Sequence, residues 1–520
     1  PTTPGSHRCA PHSAGAADEP LRLRRDLASD TAPGQYASRL ARWRACMNTS
    51  RAGTGSSATG ASNVGSDMPA LNRPRRGHTI LAGAKDEPFT SLRRRPSSRA
   101  ERLAMGKALR QRVPRRALAR WRPRASRPDP VALLRISHEG RLPDLLAIRI
   151  GRMVGSPYGF LRGTAIVMAD DVASLPSTGI TPVICGDAHL GNFGFYASPE
   201  GELVIDLNDF DEAHPGAWEW DLRRLVASIW VAGRENSATE EQCATAAMSC
   251  VSAYRDEVAL LADQPLLLRS YNRLGVERLH KTAAEKTLRA EIKRSAKRAR
   301  QRTSDRALPR FSREQAGGRR IVEEPPLITH LPDEETELVA EALDDYLATL
   351  SPHWRRVLGG YTLVDVARKV VGVGSVGLRA YVALLEGGSD TDVLFLQLKQ
   401  ARRSVLARYI HGDSAWHDHQ GQRVVEYQQA LQTVSDPLLG WTSVGELQFY
   451  VRQFRNMKGT VPLDAIDPAG LAEYAGIVGR LLAKGHARTS GASMIAGYVG
   501  RSDTLDRALA RFARAYADQT

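Results

Sequence analysis

The chain has 520 residues, 42% hydrophobic and 25% charged, with a formal net charge of +15. No run of about eighteen apolar residues occurs, so no membrane span is expected, and the length suits roughly two to four domains or one large core with appendages. Five cysteines without framework spacing argue against a disulfide scaffold and for reduced thiols in a cytoplasmic setting.

Residues 1–112 alternate Gly/Ser/Ala-rich stretches with Arg-rich ones and lack sustained apolar periodicity. This predicts a disordered, basic, low-complexity extension, because too little apolar surface is available to offset chain entropy. A native product beginning near Met105 is one expectation from that composition. Order is expected from about Arg115. A helical lobe is predicted over 113–360, with helices split by turns at Gly140 and Pro143 and a loop at Ser156–Gly163. Arg162 in that loop is a candidate to reach a phosphate or carboxylate, or to form a structural ion pair.

The stretch from Val183 to Leu225 concentrates the chemistry. A short apolar run leads into Gly186-Asp187, with His189 and Asn192 following on the same loop. Phe193–Tyr196 and Leu203–Leu207 read as a hairpin that ends in an acidic cluster holding Asp206, Asp209, Asp211 and Glu212. Carboxylates and an amide at this spacing suit Mg2+ and a phosphate chain, since hard cations take oxygen ligands and few dedicated protein ones. Asp221 is expected to begin a long amphipathic helix.

Residues near 273–302 form a basic helix, and 304–332 reads as a linker or flap. With almost no aromatic interleaving, the basic helix is expected to be solvated rather than to read nucleic acid. A nucleotide-binding sheet lobe is predicted over 361–460. Its glycines Gly372, Gly374 and Gly377 have GxGxxG spacing, and the pattern around them is strand, Gly loop, strand, turn, strand. That is the arrangement of a kinase Gly-rich loop rather than a dinucleotide-binding turn. Lys399 ends the third strand, where an ammonium suits nucleotide phosphates as a point charge. Glu426, on the next helix, is the expected partner of Lys399, with Glu446 a nearby alternative. Residues 461–520 are read as C-terminal helices completing the large lobe.

From Arg115 onward the sequence resembles the bacterial family known as domain of unknown function 2252, through RIGRMVGSPYGFLRG, CGDAHLGNFGFY, DLNDFDEAHPGAWEWDLRRL, VGVGSVGLRAYVALLEG and YVRQFRNMKG. More widely, Gly186, Asp187, His189 and Asn192 resemble the GDxHxxN loop of aminoglycoside-phosphotransferase-like and choline-kinase-like enzymes. Val204-Ile205-Asp206 is similar to their VID motif, whereas Asp209-Phe210-Asp211 resembles a kinase DFG motif with Asp for Gly. The resemblance implies an α+β, two-lobed, protein-kinase-like fold with the two halves of the site in circularly permuted order. It also implies ATP and Mg2+ as cofactors and an unknown small-molecule or protein acceptor. Asp187 would accept or orient the acceptor hydroxyl, His189 would brace the loop, and Asn192, Asp206, Asp209 and Asp211 are the candidate metal ligands. Gly372, Gly374, Gly377, Lys399 and Glu426 would serve the nucleotide. The competing expectations are a hydrolase with two cations on the Asp/His cluster and a non-catalytic nucleotide-binding module. The acceptor pocket is expected around Ser156–Gly163, His214–Trp220 and the helices after Asp221.

Overall fold

The computed structural model describes residues 79–80 and 97–520, except 316–317, 371, 390, 411–416 and 490. In chain order, the elements that position the site begin with a hairpin of β1 (Phe193–Ala197) and β2 (Leu203–Leu207), turned at Gly201. Helices α1 (Trp218–Glu235) and α2 (Glu240–Asp263) follow, then strand β3 (Ile328–His330) and helix α3 (Asp333–Thr349). Next come β4 (Thr362–Lys369), β5 (Ala380–Glu386), β6 (Val393–Gln400), helix α4 (Gln420–Leu431), β7 (Gly440–Val444) and β8 (Leu447–Gln453). Helices α5 (Pro468–Arg488) and α6 (Thr504–Gln519) close the chain.

Helix α1 is buried all round from Trp218 to Gly233, as a helix at the centre of a larger core should be. Helices α2, α5 and α6 and the β1–β2 hairpin share its core through Leu222, Val251, Ile477, Leu509 and Phe195. The α2–α5 approach needs a glycine: a Cβ on Gly479 would collide with the Cys250 carbonyl.

The second part is a six-stranded antiparallel sheet in the order β7-β8-β6-β5-β4-β3. Alternation along its strands splits it between two cores. Tyr381, Ala383 and Leu396 face α3 through Val339 and Tyr346, while Val382, Leu384 and Phe395 pack with Ala307 and Ile321. The segment after β8 returns to the helical part along β1: the Phe195 N–H donates to the Gly459 carbonyl at 2.7 Å and the Gly459 N–H to the Phe195 carbonyl at 3.1 Å. A mixed α/β architecture with a helical part and a separate antiparallel sheet is thus in place.

Three expectations are corrected. The disordered extension predicted to residue 112 falls largely outside the described residues, but Arg99–Arg112 is a helix, started by a Ser98/Glu101 capping box. It docks by backbone approach rather than by an apolar stripe: a Cβ on Gly106 would run into the Met494 carbonyl. Met105 lies in the middle of this helix. The expected loop at Ser156–Gly163 is a helix, Pro157–Gly163, with the Ser156 hydroxyl accepting the Gly159 N–H and proline in the first turn. The expected linker at 304–332 instead holds a helix, Ser304–Phe311, a hairpin and the edge strand β3. Its apolar residues are few but buried, Ile321 and Ile328 among them, and the Asp365 carboxylate accepts the Ile321 N–H at 2.6 Å.

Candidate functional site

The loop between Ile184 and β1 is fixed almost entirely through its backbone. Gly186 sits at φ +79°, and a Cβ there would strike the Glu212 carbonyl. Asp221, expected as a helix cap, lies inside the first turn of α1, fully buried. Its carboxylate accepts the N–H groups of Cys185 at 2.7 Å and Gly186 at 2.8 Å, with His486 Nε2 at 3.2 Å. The Leu190 N–H donates to Ser228 Oγ at 2.8 Å and the Gly191 N–H to the Tyr158 hydroxyl at 2.7 Å. The Asn192 amide also holds backbone: Nδ2 donates to the Asp187 and Asp209 carbonyls at 3.1 and 3.0 Å, and Oδ1 accepts the Asp209 N–H at 2.7 Å. The GDxHxxN loop is therefore stitched to the turn after β2.

That stitching leaves two carboxylates at the loop surface. Asp187 is paired with Arg224, whose Nε donates to Oδ1 at 2.7 Å. Burial nevertheless outweighs the arginine and raises the Asp187 carboxyl to about 6. His189 Nε2 lies 3.9 Å from Asp187 Oδ2, and burial beside Arg162 and Arg224 holds its imidazole well below its ordinary value, so it is neutral. Asp209 is half-exposed, 3.9 Å from Lys399 Nζ. Crowding in the site and the neighbouring Asp211 charge raise its carboxyl.

Lys399 reaches this floor from β6. Its ammonium donates to Asp211 at 3.2 Å and to the Tyr450 hydroxyl at 2.5 Å, and Tyr450 donates to Asp211 Oδ1 at 2.8 Å. Ser375, inside the glycine loop, donates to Asp211 Oδ2 at 3.0 Å. Burial would raise the Asp211 carboxyl, but the lysine charge and the two hydroxyl donors prevail and hold it at about 2. The loop's carbonyls are taken by the helical part. Arg149 donates to Gly374 at 2.8 Å, Arg141 to Val376 at 2.6 Å, and the Leu142 N–H to Gly377 at 2.8 Å.

Asp187, Asp209, Asp211, Gly374 and Ser375 line one cavity of about 270 Å³. Glu212 lines it too, its carboxyl raised to about 7 by burial despite the Val405 N–H bond at 2.7 Å. His189, Asn192, Gly372, Gly377 and Lys399 belong to the same loops and strand but do not line the cavity, and two further predicted residues lie elsewhere. Asp206 is buried behind the hairpin, accepting the N–H groups of Leu207 at 2.9 Å and Thr433 at 3.2 Å. Glu426 does not meet Lys399; it is on the exposed side of α4, bonded to His417 Nε2 at 2.6 Å and Gln422 at 2.8 Å. The buried side of α4 instead presents Arg423, which donates to the Asp211 and Arg402 carbonyls, both at 2.8 Å. The stretch His214–Trp220 is buried core and does not line the cavity. Tyr450, Arg224, Arg423 and Ser375 escaped sequence reasoning. Tyr450 alone carried a signal, since alternation in its strand sets it opposite Lys399.

Among the described residues no three His, Cys, Asp or Glu side chains group as a metal site would need. No helix of the described residues is long and apolar enough to cross a membrane, and Cys185, Cys243 and Cys250 are free and buried.

Fold and cavity together define a mixed α/β protein with an acid-floored cavity between a helical part and an antiparallel sheet. Residues 141–520 match the family described as an uncharacterized protein conserved in bacteria, domain of unknown function 2252, and the chain belongs to that family. No curated protein and no solved structure matches it.

Proposed function

We propose that the protein is an ATP- and Mg2+-dependent phosphotransferase of kinase-like, circularly permuted organisation. The observation that carries this reading is that a glycine loop, a buried strand lysine and an acidic hairpin turn, nearly two hundred residues apart in sequence, converge on one carboxylate, Asp211. Those three parts are what phosphoryl transfer requires: a cradle, a cation for phosphate charge and a metal-binding acid.

The residues fit Mg2+ held mainly by phosphate oxygens. There is no protein cage among the described residues, but Asp209 offers a half-exposed carboxylate to the cavity, and Mg2+ typically takes one or two carboxylates plus substrate oxygens. When bound, the ion neutralises charge on the phosphates. Asp187 accepts the proton of the acceptor hydroxyl as its oxygen bonds to the terminal phosphorus, and the bond to the bridging oxygen breaks to release ADP. Arg224 orients Asp187, and Lys399, buried behind the cavity lining and held by Asp211 and Tyr450, supplies positive charge from beneath Asp211. Slow Mg2+-dependent ATP hydrolysis by the full chain without acceptor, absent in Asp209→Ala, is the expected result. Equal hydrolysis by both proteins, or none by either, removes the proposal.

A further inference from the structure

The choline-kinase-like resemblance would suggest a cationic acceptor, but the cavity wall has the opposite preference. Beside the acidic floor it is lined by Arg141, Arg149, Arg162, Arg402, Arg403 and Arg408. The floor carboxylates offset this wall only in part: Asp187 is paired with Arg224 and Asp211 with Lys399, while Asp187, Asp211 and Glu212 favour the charged forms of Arg141 and Arg149 against burial and the like charge of Arg402. Arg141 donates to the Ser137 and Val376 carbonyls at 2.8 and 2.6 Å, and Arg402 to the Ser137 carbonyl at 3.3 Å. Burial together with the like charges of Arg149 and Arg402 lowers the Arg141 guanidinium to about 9. Arg162 rests over the Tyr158 ring, and its Nε is buried without a hydrogen-bond partner among the described residues. Like charges crowded against one another, with donor capacity left over on Arg162, mark a site completed by an anion.

We infer that the acceptor is itself an anion, a phosphorylated or otherwise phosphate-like small molecule, held by Arg162 and its neighbours on the helical side of the cavity while its hydroxyl faces Asp187. Arg141, Arg149, Arg162 and Ile166 line that side, and Gly374 and Ser375 the other. The inference rests on the phosphotransferase reading for the word acceptor, but the anion subsite stands on the guanidinium groups alone. The same wall repels choline-like and aminoglycoside-like cations, which would meet like charge.

Calorimetric titration of the full chain with inorganic phosphate, glucose 6-phosphate and choline tests this, with melting curves verifying that each variant is folded. Both phosphate probes should bind and choline should not. Arg162→Ala should weaken the phosphate probes roughly tenfold or more, the loss of one charge-assisted contact, and Arg162→Lys should restore part of it. Choline binding, or phosphate binding untouched by Arg162→Ala, overturns the inference. So does full competition between ATP and glucose 6-phosphate, which would assign the arginines to the nucleotide's own phosphates. Probe binding without any ATP binding would instead defeat the phosphotransferase reading and leave the anion site standing.

Discussion

The acidic loop and the glycine loop face each other across one cavity, yet they are held in opposite ways. The acidic loop is fixed from within and below: Asp221, Ser228, Tyr158 and Asn192 satisfy its backbone groups one by one. The glycine loop is fixed from the opposite side, by Arg141 and Arg149 donating to its carbonyls and by Ser375 reaching Asp211. A Cβ on Gly372 or Gly374 would meet nothing, so no tight packing defines those two positions. The acidic loop, its backbone N–H groups consumed internally, offers side chains for chemistry; the glycine loop is gripped by its carbonyls, and its own Ser375 N–H turns back to the Gly372 carbonyl at 3.0 Å.

Substitutions break this comparison at graded strengths. The largest effect is expected at Asp187: Asp187→Asn should lower turnover by roughly 10²–10⁴-fold, the usual worth of a general base, without preventing ATP binding. Because the carboxyl is raised to about 6 and acts only when ionised, wild-type turnover should fall as pH drops through about 6, as a pH–rate profile of ATP consumption would reveal. Lys399→Ala leaves Asp211 without its cation, held only by the Tyr450 and Ser375 hydroxyls, and should cost about 3–5 kcal/mol in denaturant unfolding. Asp221→Ala strands the Cys185 and Gly186 N–H groups and should cost about 2–4 kcal/mol. Asp206→Asn and Asp209→Asn separate two similar acids: only the second should abolish the Mg2+ dependence of ATP binding by calorimetry. Glu426→Ala should change stability by less than about 0.5 kcal/mol, as for a surface position.

How far the sequence could be read follows from what each feature depends on. The hairpin, the strand–Gly loop–strand order and the long helices were legible because they are written in local periodicity and turn residues. Lys399 at a strand end beside the glycine loop was legible for the same reason. Its partner was not: Glu426 and Arg423 are neighbours on α4, and only the phase in which that helix docks decides that Arg423 turns inward. The choice between Asp206 and Asp209 also waited on three dimensions. Asp206 is in β2, and its carboxylate accepts N–H groups from Leu207 and Thr433 behind the hairpin, whereas Asp209 follows the turn and opens onto the cavity. The arginine wall is assembled from residues near 141–162 and 402–408, so no window of sequence displays it. The Arg99–Arg112 helix was missed because its docking relies on an absent side chain at Gly106.

The central claim, that glycine loop and acidic turn form one nucleotide site, is tested most directly by the melting temperature of the full chain with ATP, with Mg2+ and with both. A ligand that binds only the folded state must raise that temperature. The account predicts a rise that requires ATP and Mg2+ together and disappears in Asp209→Ala. A rise with divalent metal alone, and none with any nucleotide, would contradict it.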